Sequence, residues 1–168
     1  MTIHYNDPKP QDAQAILDYL NQAGIESDNL SFGEEGIGIS LEDETAYLEK
    51  IQNDPNEFMI LAKENLTIVG IANLTRGKRP RTQHVATLGI SLLKSHWHQG
   101  LGTELMKQIM DRAKKSNLEV IRLDVRSDNL IAIKLYTRFG FEKIGCFEEE
   151  MKIDGHYISI DQMRVRLK

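Results

Sequence analysis

The segment LGISLLKSHWHQGLGTELM, residues 88–106, decides the fold expected for this 168-residue chain. It combines the end of a largely apolar strand, a short turn with two glycines and the start of a long amphipathic helix. Gly100 and Gly102 allow a tight turn and let a ligand approach the backbone closely. The N–H groups of the first helical turn, together with the helix dipole, form an anion site. The segment therefore predicts a turn that binds pyrophosphate.

The same residues argue against two common nucleotide-binding turns. A Rossmann fingerprint needs a third glycine near Leu105, which is missing, although Asp124 lies roughly where the ribose-binding acid would be. A phosphate loop of the NTPase type needs Gly-Lys-Ser/Thr, and residues 102–104 are Gly-Thr-Glu. The simpler alternative, in which the glycines only start a helix, stays open.

The elements on either side of this junction predict a mixed α/β domain over residues 1–168. We expect strands at 2–6, 58–63, 67–74, 84–93, 120–125, 141–148 and 156–166. We expect helices at 8–21, 42–53, 100–116 and 129–139, with a glycine-containing loop at 22–40 and an N-cap for the last helix at Ser127 or Asp128. The strand, helix and strand at 84–125 form one right-handed crossover with parallel strands.

Composition limits the classes of function. The net charge of −4 disfavours general nucleic-acid binding, and the basic turn at 76–81 is more simply a solvated hairpin tip. No apolar run suggests a signal peptide, a membrane anchor or a membrane partner. Cys146 is the only cysteine, so no intrachain disulfide and no cysteine-based metal cluster is expected. A cytoplasmic location is the default expectation.

Two motifs resemble the acetyl-coenzyme A-binding core of the GNAT acetyltransferase superfamily. They are WHQGLGTEL at 97–105 and LDVRSDNLIAIKLYTRFGFEKIG at 123–145. The second contains the whole family pattern, namely Asn129, Ala132, Leu135, Tyr136, Gly140 and Phe141. Trp97 departs from the Arg or Gln that is commoner there. The resemblance implies a GNAT-type mixed sheet of about seven strands with about four helices on both faces. It also implies acetyl-CoA as co-substrate and no metal.

The resemblance implies roles for particular residues. The cofactor's pantetheine pairs with the strand edge at Ile90 to Leu92, and the Leu92 amide donates to the thioester carbonyl. Asn129 holds the pantetheine arm and Tyr136 protonates the departing thiolate. The pyrophosphate contacts the turn formed by Trp97, His98, Gln99, Gly100, Leu101, Gly102 and Thr103. A residue of the first helical turn and a packed aromatic are the plainer alternatives for Asn129 and Tyr136.

The general base is the least defined part of the expected site. Many family members place a Glu on the strand before the glycine turn, where this chain has Thr87. His84, Glu34 and Glu35 are possible replacements, and a chain of water molecules is another. His96 and His98 are interpreted as surface residues and not as metal ligands.

The acceptor is inferred from charge. Residues 10–49 contain no Lys, Arg or His and hold ten acids, namely Asp12, Asp18, Glu26, Asp28, Glu34, Glu35, Glu42, Asp43, Glu44 and Glu49. In the GNAT fold this segment borders the acceptor entrance, so a small cationic amine is expected. Ordinary solvated acids, a protein N-terminus or lysine as acceptor, and a non-catalytic acyl-CoA sensor stay open. A homodimer is also left open.

Overall fold

The computed structural model describes residues 2–168, which form a seven-stranded sheet and four α-helices. The strands are β1 (Ile3–Asn6), β2 (Phe58–Glu64), β3 (Thr67–Arg76), β4 (Val85–Leu92), β5 (Val120–Arg126), β6 (Glu142–Ile153) and β7 (His156–Arg166). The helices are α1 (Ala13–Glu26), α2 (Leu41–Ile51), α3 (Leu101–Lys114) and α4 (Leu130–Arg138). The mixed α/β fold predicted from the sequence is confirmed.

The sheet has the strand order β1-β2-β3-β4-β5-β7-β6. All neighbouring strands are antiparallel except β4 and β5, which are parallel. Their ladder is short and runs only from Val85 opposite Val120 to Thr87 opposite Arg122. Beyond Thr87 the two strands diverge, which opens the sheet towards its α3 end.

The helices cover both faces of the sheet. On one face α3 lies so close to β3 that a Cβ on Gly70 would clash with the side chains of Leu92 and Leu105. On the other face α1 packs through Tyr19, whose hydroxyl lies 2.9 Å from the Ser91 hydroxyl on β4. Side chains alternate along a strand, so Leu92 and Ser91 contact opposite helical layers.

Both ends of α1 and the N-cap of α4 differ from the sequence-based expectation. Helix α1 begins at Ala13, after a 3-10 turn at Pro10–Asp12, and not at residue 8. The first helix continues to Glu26 instead of ending near Asn21. Gly24 does not end this helix; a Cβ there would clash with the Gly33 carbonyl, so the glycine lets the following loop pack against α1. The N-cap of α4 is Asn129, whose side-chain oxygen accepts from the Ala132 amide at 3.2 Å, and not Ser127 or Asp128.

The closing hairpin is longer than expected. Strand β6 continues past residue 148 to Ile153, and its register against β7 shifts between Phe147 and Met151. Glu149, inside this irregularity, has a φ of 57°. The bulge interrupts the alternation that would have identified one continuous strand. Across residues 2–168 no helix has the length and apolar character needed to cross a membrane.

Candidate active site

The candidate site is the cleft that opens where β4 and β5 diverge. The Leu93 amide donates to the Val69 carbonyl at 3.0 Å, so it faces β3. Backbone groups of successive strand residues point to opposite edges, so the N–H and C=O groups of Leu92 and Ile90 face the cleft. In the part of the chain that the structure describes, no strand pairs with this edge beyond Thr87. An extended ligand with amide groups can therefore pair with β4 here.

The turn between β4 and α3 forms the upper wall of this cleft. Gly100 is the N-cap of α3 and has a φ of 85°, which favours glycine. His98 also has a positive φ, of 61°. Gly102 differs, since a Cβ there would make only ordinary contacts of 3.5 Å with Leu135 and 3.6 Å with Leu92. The N–H groups of the first α3 turn and the helix dipole form an anion site beside the cleft.

Trp97 joins this turn to the end of β4. Its indole Nε1 donates to the Leu92 carbonyl at 2.9 Å. Trp97 and Asn129 line a cavity of about 530 Å³ at the mouth of the cleft, together with the basic side chains Lys94 and Arg126. The sequence separates Trp97 and Asn129 by one helix and one strand, and the fold brings both to the same cavity.

Tyr136 lies on α4 and is 8% exposed. Its ring packs against Phe141, with ring centroids 6.0 Å apart. Burial raises the pKa of the Tyr136 hydroxyl to about 12, because the ionised phenolate would lose its hydration. Tyr136 therefore keeps its proton at neutral pH, and burial makes its hydroxyl a weaker acid than a free phenol.

Two of the three candidates for the general base, His84 and Glu35, have unfavourable positions or partners, and Thr87 at the usual position of the base is itself hydrogen-bonded. His84 precedes β4, about 26 Å along an extended strand from Leu92, and its carbonyl accepts from the amides of residues 119 and 120. This distance removes His84 as a base for chemistry at Leu92. Thr87 Oγ1 accepts from Arg122 Nε at 3.3 Å. Hydrogen bonds to its own loop, first from the Gly33 amide, lower the pKa of the exposed Glu35 carboxylate and weaken it as a base.

A carboxylate that the sequence analysis did not consider as a base lies on β5. Asp124 is exposed, and its side chain projects from the same face as Arg122, two residues away. Its Oδ1 atom lies 3.5 Å from the Gln162 amide nitrogen. Alternation along β5, where Ile121, Leu123 and Val125 are buried, was the signal that could have identified Asp124 as a residue of the open face.

Several acids of the segment 10–49 have structural partners. Asp12 binds Lys63 at 2.7 Å, and Glu26 accepts from the Lys94 amide at 2.7 Å. Asp43 takes part in the N-cap of α2 through Ser40. Exposed acids such as Asp28 and Glu34 remain available to attract a cation.

Of the two histidines beside the glycine turn, His96 has protein partners. His96 Nδ1 lies 2.8 Å from the Ser95 hydroxyl, and its Nε2 lies 3.4 Å from Glu64. His98 is exposed. Residues 2–168 contain no group of three or more His, Cys, Asp or Glu side chains placed to hold a metal ion.

Comparison with known proteins identifies relatives of this chain. Residues 16–141 match the model of the Acetyltransferase (GNAT) family. The N-alpha-acetyltransferase RimI of Mycobacterium tuberculosis is 29% identical over 60% of this chain and 62% of its own length. The L-amino acid N-acetyltransferase AaaT of Escherichia coli is 30% identical over 66% of this chain and 68% of its own length. The alignment thus spans less than two thirds of the mycobacterial protein.

The fold is also similar to that of a solved structure. An acetyltransferase of the GNAT family from Streptococcus pneumoniae has a TM-score of 0.94 and 29% sequence identity. The match covers 99% of this chain and 100% of the streptococcal chain. The similarity therefore extends over nearly the whole fold.

Proposed function

Because this chain belongs to the GNAT acetyltransferase family, we propose that it transfers the acetyl group of acetyl-CoA to the primary amine of a small acceptor. The chain is an acetyltransferase, and acetyl-CoA is its co-substrate. One observation carries the proposal for where transfer occurs: the open edge of β4 leads directly to the anion-binding turn before α3. This arrangement suits a ligand that has amide groups at one end and a pyrophosphate at the other.

The proposed binding mode follows from the free groups of the cleft. The pantetheine amides pair with Ile90, the Leu92 N–H remains for the thioester carbonyl, and the pyrophosphate accepts from backbone N–H groups of the turn at 98–103. Asn129 uses its side-chain oxygen to cap α4, so its amide nitrogen remains to donate to the pantetheine. Trp97 packs beside the cofactor through its ring.

The proposed reaction is a direct attack of the neutral amine on the thioester carbonyl carbon. The C–N bond forms, and the Leu92 amide donates to the resulting oxyanion; one such donor contributes a factor of about 10²–10³ in rate. The C–S bond then breaks, the sulfur takes the electron pair, and Tyr136 supplies a proton to the thiolate. The proton lost by the amine passes to a base or to water.

Asp124 is the carboxylate best placed to serve the amine. It lies on β5 beyond the last parallel pair, where the diverging strands leave room for an acceptor. A carboxylate here holds the incoming ammonium and then accepts or relays its proton. Glu34 and Glu35 remain proposals for attraction of the cation at the entrance.

We propose that the acceptor approaches as an ammonium ion. The exposed acids Asp28, Glu34 and Glu35 support this, because an acidic rim raises the local concentration of cations. A peptide N-terminus is the second candidate acceptor, supported by the similarity to the RimI protein. A lysine side chain of a protein remains a further alternative.

The test is thiol release from acetyl-CoA with amino acids, polyamines, aminoglycosides and short peptides as acceptors. Release that depends on an amine, together with an acetylated product in the mass spectrum, supports transfer. Binding of acetyl-CoA without release for any amine would instead support the non-catalytic sensor.

Three further expectations remain proposals. They are a single domain over residues 1–168, a homodimer and a cytoplasmic location. The continuous seven-stranded sheet supports the first. Analytical ultracentrifugation measures the second, and cell fractionation tests the third.

A further inference from the structure

The end of α1 and the residues after it connect the two diverging strands. The Glu26 carboxylate accepts a hydrogen bond from the Lys94 amide at 2.7 Å, just after β4 ends. Two residues further along the chain, the Asp28 carbonyl accepts from Arg126 Nη1 at 3.0 Å, at the end of β5. Residues 26–28, here called the strap, therefore cross the cleft from one strand to the other.

Each anchor of the strap lies two residues beyond a residue of the proposed reaction. Lys94 follows Leu92, whose amide we assign to the oxyanion, and Arg126 follows Asp124, the carboxylate assigned to the amine. Two residues of extended chain measure about 7 Å. The strap therefore crosses the cleft one short step beyond the reacting groups, on both strands.

Strand pairing does not hold β4 and β5 together at this level. Their ladder ends at Thr87 opposite Arg122, and in the part of the chain that the structure describes no residue pair joins them further on. Helix α1 is also held to β4 where the Tyr19 hydroxyl lies 2.9 Å from that of Ser91. Arg126 supplies the link from this helix to β5. The separation of the two strand ends therefore depends on the strap.

The backbone of the strap has little slack. Ser27, between the two anchors, is extended, with φ of −145° and ψ of 127°. The Cα atoms of Glu26 and Asp28 are therefore about 7 Å apart, close to the limit for two residues. A segment this short and this extended cannot lengthen to follow a wider separation of the strands.

The side chains at both anchors are also held in place. Glu26 uses its second oxygen to accept from Gln22 at 2.8 Å. Arg126 donates to both oxygens of Asp128, at 2.9 Å and 2.7 Å, a two-point contact with defined geometry. The Arg126 side chain is only 15% exposed, so solvent screens these contacts weakly. Both anchors therefore transmit a displacement of the strap to the strands.

The strap also borders the space that leads to the reacting groups. The cavity of about 530 Å³ at the mouth of the cleft is lined by Glu26, Ser27 and Asp28 on one side. Lys94 and Arg126 line it from the two strands. A loosened strap would therefore change the width of the cleft and not only the surface of the protein.

We propose that Glu26 and Arg126 are positioning residues, which hold the Leu92 amide and the Asp124 carboxylate at a fixed separation through the strap. The inference rests on the proposed function, because that function assigns roles to Leu92 and Asp124. The strap acts as a single link between the strands, so loss of either anchor releases it.

The first experiment measures kcat for amine-dependent thiol release at saturating substrates. Arg126→Gln and Glu26→Ala each remove one anchor, and a double variant removes both. Glu26→Gln tests rescue, because it keeps a side-chain oxygen that can accept from the Lys94 amide. Arg81→Gln and Glu49→Ala are the matched controls, since both residues are exposed and lie in the turn at 76–81 and on α2. Circular dichroism verifies that each variant is folded.

Each loss of an anchor should lower kcat about ten- to a hundredfold, because a misplacement of about 1 Å can cost that much. The double variant should be no slower than the slower single variant, since a link that is already cut cannot be cut again. Glu26→Gln should keep most of the parent kcat, and both controls should match the parent. Losses that multiply in the double variant, or an unchanged kcat in Arg126→Gln, would overturn the inference.

The second experiment needs no substrate and follows the amide hydrogen exchange of Lys94 by NMR. Arg126 lies on the other strand, yet its loss should loosen the strap and speed exchange at Lys94 roughly two- to tenfold, the range for one hydrogen bond. Arg81→Gln should leave the rate unchanged. An unchanged rate in Arg126→Gln would show that the two anchors act separately and would overturn the inference, even in a protein that acetylates amines. Faster exchange in a protein that releases no thiol with any amine would confirm the link but overturn the proposed function, and the positioning role with it.

Discussion

The indole nitrogen of Trp97 donates to the carbonyl of Leu92 at 2.9 Å, so the first residue of the glycine-turn motif is fastened to the last residue of β4. The Leu92 amide that we assign to the oxyanion belongs to this same residue. Trp97 is therefore a positioning residue for the strand end, in addition to any contact of its ring with the cofactor.

We predict that Trp97→Phe, which keeps an aromatic ring and removes the N–H donor, lowers kcat/KM for acetyl-CoA roughly two- to tenfold, the range for loss of one hydrogen bond. Trp97 is the only tryptophan, so its fluorescence in the parent protein should change as acetyl-CoA saturates. Emission that stays constant during the titration would place the cofactor away from Trp97.

We predict that Tyr136→Phe lowers kcat by about 10²–10⁴ and leaves acetyl-CoA affinity nearly unchanged, because the ring is kept and the acidic proton is lost. Tyr157→Phe is the control, since Tyr157 is 59% exposed on β7. Steady-state kinetics and calorimetry separate the two effects. Full turnover of Tyr136→Phe at saturating acceptor would remove Tyr136 from the mechanism.

The raised pKa of Tyr136 also predicts a loss of stability in alkali. The unfolded tyrosine ionises near pH 10, whereas the folded residue keeps its proton until about pH 12. Between these values the unfolded state binds fewer protons, so the free energy of unfolding falls by up to about 1.4 kcal/mol per pH unit from this residue. Below about pH 10 the contribution is fully present.

Urea unfolding between pH 9 and pH 11 measures this effect, because this range spans the pKa of the unfolded tyrosine and stays below the pKa of folded Tyr136. Tyr136→Phe should show a shallower decline of unfolding free energy above about pH 10 than the parent protein. Parallel declines in the two proteins would mean that Tyr136 titrates alike in the folded and unfolded states.

We predict that Asp124→Asn reduces kcat/KM for the acceptor at neutral pH, because the ammonium loses its carboxylate partner. The reduction should become smaller at higher pH, where more of the acceptor amine is already neutral. Asp111→Asn is the matched control, since Asp111 is exposed on α3 and has no proposed role at the acceptor site. If Asp124→Asn left the pH profile of kcat/KM unchanged, the general base would instead be Glu34 or a chain of water molecules.

Local spacing explains why candidate cofactor-binding residues could be proposed from the sequence alone. Gly100, Asn129 and Tyr136 lie in short motifs whose chemistry depends on neighbours within a few residues. The cap on α4 was assigned to the wrong residue, because Ser127, Asp128 and Asn129 can all accept the same kind of hydrogen bond. Only the backbone geometry distinguishes them.

The acceptor half depends on contacts between distant parts of the chain. Asp124 borders the cleft only because β4 and β5 diverge beyond Thr87, and no motif in the sequence determines the register of that pair. His84 was considered as a base because it is near the central strand in sequence, but it lies at the end opposite the cleft. Strand direction and register decide which side chains reach the reacting atoms.

The central claim is tested most directly by incubating the protein with acetyl-CoA and the amine panel while free thiol and acetylated amine are measured in the same reaction. We predict amine-dependent thiol release, with one acetylated amine formed for each thiol, and loss of both products in Tyr136→Phe. Thiol release without acetylated amine, or acetylation that persists unchanged in Tyr136→Phe, would contradict it.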